Sequence, residues 1–170
     1  METSVSKFFL FFFLAAFVIW VGSSLVKNYE AGKLFKFGTV EFQDGLDPSD
    51  ERTTYRVFAE DSIIAYFCYP AALVTGIGYV LATRRSFARN GWLLMSAILF
   101  FIFIPVELYC FWLDWKIVGL NYWGNWPMEE FRKAMLHRMT ALAGLPLIAQ
   151  LCYCTIPIFI IFKPLQKPEA

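Results

Sequence analysis

The segment Arg84-Arg85-Ser86-Phe87-Ala88-Arg89-Asn90 holds three arginines and no acid, and it separates two long apolar runs at 62–83 and 92–113. Two more such runs lie at 8–26, between Lys7 and Lys27, and at 139–162. A hydrocarbon core of ~30 Å takes about 20 apolar helical residues per crossing, so each run suffices for one span. The arginine segment then reads as a tight turn joining the second and third spans. The pattern predicts an all-α polytopic membrane protein, a four-transmembrane-helix bundle forming a single domain over 1–170.

Composition agrees. Of 170 residues, 58% are hydrophobic and 19% aromatic, whereas a soluble domain has about 45–50% apolar residues. A formal net charge of +1 lacks the strongly basic face of a nucleic-acid binder. A secretory leader competes for the first run, because Lys7 precedes it and Gly22, Ser23 and Ser24 are small. That run exceeds the ~7–15 apolar residues of a leader core, so an uncleaved first span is expected. Gly32, just beyond it, suits a left-handed cap.

Lys and Arg in short loops set orientation. Arg84, Arg85 and Arg89, with Lys7, Lys163 and Lys167, fall on one side of a four-span chain. The 27–61 loop on the other side carries five Lys or Arg against eight acids. The reading places 84–90 and both termini in the cytoplasm, loops 27–61 and 114–138 outside, and the protein in the cell inner (plasma) membrane. Cys68, Cys110, Cys152 and Cys154 all fall within the apolar runs, so they read as buried small hydrophobes rather than an external disulfide framework.

Both outer loops contain a helix start. Asp47-Pro48-Ser49-Asp50-Glu51 offers a capping carboxylate, proline at the first helical position and acids at the positive end of the dipole. Asn125-Trp126-Pro127-Met128-Glu129-Glu130 has a similar form. If each helix continues into its span, the second and fourth helices extend beyond the outer membrane face as a ledge. Kinks are expected near Pro70, Pro105 and Pro146. Trp112, Trp115, Tyr122, Trp123 and Trp126 read as an interfacial belt on a loop lying at headgroup level.

Glu107 is the sharpest chemical candidate, a carboxylate within an apolar span. Such a group is costly unless paired, and Arg138 and His137 enter the fourth span from the same side. Glu107, His137 and Arg138 therefore form the candidate polar cluster, functional or structural. His137 is the lone histidine, which removes bis-His haem ligation and an HExxH site. A weak metal reading pairs Glu130 with His137, seven residues apart on one helical face, and Asp61, Glu107 or Asp114 could approach. Cys152 and Cys154 point apart on a helix and cannot bridge. Gln150 and Thr75 suit interhelical hydrogen bonds, and Gly76 and Gly78 suit close helix approach.

No catalytic motif appears, and no cofactor is implied. The leading expectation is a scaffold or accessory subunit of a membrane complex, in contact with the lipid bilayer and with membrane-protein partners or copies of itself. The second is a small transporter or ion-conducting oligomer that uses Glu107. The third is a membrane enzyme or cofactor-binding subunit with an outer-leaflet site at Glu107, His137 and Arg138.

Overall fold

The computed structural model describes residues 3–83, 85–125 and 127–166; Arg84, Trp126 and Lys167 lie outside the described residues. Helix makes up 78% of the structure, and no strand forms among the described residues. Six helices follow one another: α1 Ser4–Gly32, α2 Pro48–Ala82, α3 Gly91–Phe101, α4 Ile104–Trp123, α5 Met128–Thr140 and α6 Leu145–Phe162. Four stretches are long and apolar enough to cross a membrane, namely α1, α2, the joined α3–α4 unit Gly91–Trp123, and α6. Only 22–28% of each apolar window is buried inside the protein. Phe11, Val18, Phe67, Leu81, Ile161 and Phe162 all face outward. Apolar faces of this extent are compatible with contact to a bilayer.

The start of α2 follows its sequence signature. The Asp47 side chain accepts from the Ser49 backbone N–H at 2.9 Å, Pro48 opens the helix, and Asp50 and Glu51 occupy its first turn. From there α2 runs unbroken for 35 residues, through Pro70, which is ~52 Å at 1.5 Å per residue. Proline acts differently in the third and fourth spans. Pro105 has no N–H for the Phe101 carbonyl, and its ring crowds that carbonyl; α3 ends at Phe101 and α4 restarts at Ile104.

Four expectations about elements are corrected. The fourth helix is not continuous. It divides into α5 and α6 at a turn where Ala143 (φ 46°) and Gly144 (φ 83°) are left-handed and Pro146 opens α6. The second helix start shifts as well, because α5 is capped at Pro127 rather than Asn125. Gly32 is the last residue of α1, where a stop was expected, but it is not left-handed; the helix closes at Lys33 with φ −67°. Finally, 114–138 is not a surface loop. The apolar face of α4 carries it to Trp123, so Trp112, Trp115, Tyr122 and Trp123 project from a helix.

Packing falls into three zones. In the middle, Phe13, Phe17 and Trp20 of α1 meet Tyr69, Phe100 and Tyr153, with the Trp20 ring 4.7 Å from Tyr69 and 4.8 Å from Tyr153. At one end, Tyr79, Trp92 and Leu93 close the bundle over Phe9. The rings of Phe9 and Phe13 lie directly over Gly78 and Gly76, which bears out close packing there. At the other end Ala31, Leu34, Tyr55, Phe58, Ile117, Phe131 and Met135 form a separate core. The Tyr55 and Phe131 rings stack at 4.9 Å within it. This end of the bundle, hereafter the ledge, is built by the end of α1 and the residues after it, the first half of α2, the end of α4 and α5.

Candidate functional site: a buried charge cluster

Three helices contribute a charge where the middle zone meets the ledge. Asp114 of α4 is fully buried and accepts from Lys27 Nζ at 2.6 Å and from Arg138 Nε at 2.5 Å. Lys27 (α1) is 3% exposed and Arg138 (α5) 8%. The Lys27 ammonium also lies 5.3 Å from the centre of the Phe58 ring. Taking such ions out of water costs several kcal/mol each, so two cations on one carboxylate are held only by close contact. This arrangement pins α1, α4 and α5 at one point.

Glu107 occupies the first turn of α4, with its own N–H donating to Phe103 O at 3.0 Å. A carboxylate is favoured at that end of the dipole. On α4, Glu107, Cys110 and Asp114 share one face, at spacings of three and four residues. They line a cavity together with Lys27, Arg138, Gln150 and Tyr153. It gives about 20 Å³ to the centres of water-sized species, room for one or two. Among the described residues Glu107 has no cation within ion-pair distance. The Tyr153 hydroxyl lies against its carboxylate, where it can donate. The Trp20 side chain also lines the cavity, and among the described residues its buried Nε1 has no partner. On the rim, Asn28 Nδ2 donates to Gln150 Oε1 at 3.0 Å.

The expected Glu107–Arg138 pair is therefore replaced. Both residues line one cavity, but the guanidinium goes to Asp114, about two helical turns closer to the ledge. His137 turns away. Buried residues of α5 recur at Phe131, Met135 and Arg138, which puts the neighbouring position on the exposed side. Glu130 is exposed too, and no group of three or more metal-ligating side chains gathers among the described residues. The weak Glu130–His137 metal pair thus finds no third ligand there. Gln150 makes its interhelical bond, whereas the Thr75 hydroxyl donates to Ala71 O of its own helix at 2.6 Å. Cys110 is buried beside the cavity, but Cys154 is exposed.

As ion-pair partners, Lys27 and Asp114 were legible only through their place at span boundaries. Lys27 ends the first apolar run, Asp114 follows the third and Arg138 precedes the fourth, so all three sit at one depth. That shared depth was the available signal.

A second ionic contact ties the ledge. Buried Glu51 accepts from Arg132 Nε and Nη2, each at 2.7 Å, and from the Tyr55 hydroxyl at 2.8 Å. The bond from Glu51 holds the Arg132 guanidinium above its ordinary pKa. No protein family matches the chain, and comparison with curated proteins and with solved structures yields no significant match.

Proposed function

We propose that this protein is a four-span membrane protein that moves protons or a small ion, with Glu107 as the exchangeable carboxylate. The observation that carries this reading is an asymmetry within one cavity. Asp114 is held by two cations, while Glu107, seven residues away on the same helix face, has none within ion-pair distance among the described residues. A carboxylate committed to two close ion pairs cannot readily change charge. One that faces a small polar cavity can accept and release a proton at much lower cost. Lys27, Asp114 and Arg138 then serve as a fixed frame that keeps the cavity shaped and charged.

Orientation follows the basic residues. The turn at 85–90 and the tail meet at one end of the bundle, where Gly91 N–H donates to Leu165 O at 3.3 Å. Lys7 lies toward the same end, since Phe9 covers Gly78. The positive-inside rule assigns that end to the cytoplasm. The ledge and the cavity then lie toward the outer side of a plasma membrane.

The test is proton movement into proteoliposomes down an imposed pH gradient, acid outside and in chloride, with the potential clamped by valinomycin and potassium, read with an entrapped pH dye. Wild type is expected to acidify the lumen, and Glu107→Gln, which preserves shape without a titratable proton, to abolish the signal. Equal flux through both proteins would sink the reading.

A second reading, an accessory subunit of a membrane complex, is supported by the outward stripe of Trp112, Trp115, Tyr122 and Trp123 on α4. Under that reading Glu107→Gln leaves the cellular phenotype unchanged, whereas removing the stripe releases the protein from its membrane partners or from its own copies.

A further inference from the structure

We infer that the Glu107 cavity binds a small monovalent anion when Glu107 carries a proton, and loses it when the proton leaves. This deepens the proposed role of Glu107 and rests on it. The groups facing Glu107 come from every helix around it: Lys27 (α1), Tyr69 (α2), Cys110 and Asp114 (α4), Arg138 (α5) and Tyr153 (α6). With both carboxylates that line the cavity ionised, its two cations are balanced; Asp61 of α2, outside the lining, also acts on Lys27. A proton on Glu107 leaves one uncompensated positive charge in a poorly solvated space, where an opposite charge is strongly attracted.

The hydrogen-bonding groups point the same way. Trp20 and Tyr153 both line the cavity and each is 1% exposed, and among the described residues Trp20 Nε1 has no partner. Trp20 Nε1–H can only donate, and the tyrosine hydroxyl, which lies against the Glu107 carboxylate, can donate to another group once that carboxylate is protonated. Donors beside a net positive charge favour an anion. A cation would instead meet Lys27 and Arg138. The space of about 20 Å³ limits the occupant to one or two water-sized species, which suits a halide ion and excludes an organic acid. Proton and anion would therefore enter and leave together.

Chloride is the probe. Isothermal titration calorimetry of the purified full chain, with gluconate as control, is run in acid and in mildly alkaline buffer. Wild type should bind chloride about tenfold or more tightly in acid. Glu107→Gln, neutral at every pH, should bind it equally in both buffers. Trp20→Phe, which keeps an aromatic ring but removes the donor, should weaken binding in acid.

Chloride binding that ignores both pH and Glu107→Gln overturns the inference, as does no binding by wild type. Proteoliposomes separate the two claims. Glu107-dependent proton movement that continues undiminished in gluconate overturns the anion site and leaves the proton reading intact. Absence of any Glu107-dependent proton movement overturns both.

Discussion

At the scale of single residues, two ionic contacts of similar length differ in what surrounds them. Asp114 is fully buried and neutralises two buried cations, so Asp114→Asn strands Lys27 and Arg138 without a counter-charge. The expected loss is about 3–5 kcal/mol, measured as a fall in the denaturation midpoint of the detergent-solubilised protein. Glu51 is buried as well, but its partner Arg132 has a side chain 46% exposed, and water can solvate it once the carboxylate is gone. Glu51→Gln should therefore cost less, about 1–3 kcal/mol. Equal losses would mean that the membrane-side cluster is better hydrated than its burial indicates.

At the scale of elements, proline has three outcomes. Pro70 and Pro157 sit inside unbroken helices, Pro105 divides the third span, and Pro146 opens α6. The turn before Pro146 depends on Gly144 at φ 83°, a conformation that costs an L-residue about 1–2 kcal/mol. Gly119 in α4 has ordinary helical geometry and nothing within 4 Å of a Cβ. Gly144→Ala should thus destabilise by about 1–2 kcal/mol, while Gly119→Ala should stabilise by up to about 1 kcal/mol, both by the same denaturation assay. The opposite signs separate a glycine required by its backbone from one that is merely tolerated.

At the scale of the whole molecule, orientation is the open variable, and impermeant maleimide reads it directly. Thr39 and Ser86 are exposed at opposite ends of the bundle. In intact cells Thr39→Cys should label and Ser86→Cys should not, with wild type as the blank; the reverse pattern inverts the topology. Four apolar runs, the capped start of α2 and the separation of charge between the two ends were all legible in the chain, because span length, capping chemistry and loop charge are local properties. Glu107 and Arg138 were legible as costly residues near the bilayer, though not as members of different contacts. Which carboxylate receives which cation depends on the rotation of α4 and α5 about their axes. That rotation is set by the stacking of Tyr55 on Phe131 and by the breaks at Ile102–Phe103 and Ala143–Gly144, which no single helix specifies. The sequence by itself determined that the chain is helical, apolar on four stretches and charged at their ends. Only the tertiary structure decided that Asp114 takes both cations and leaves Glu107 facing a cavity, because partner choice among buried charges is settled by distances of a few ångströms between helices far apart in the chain.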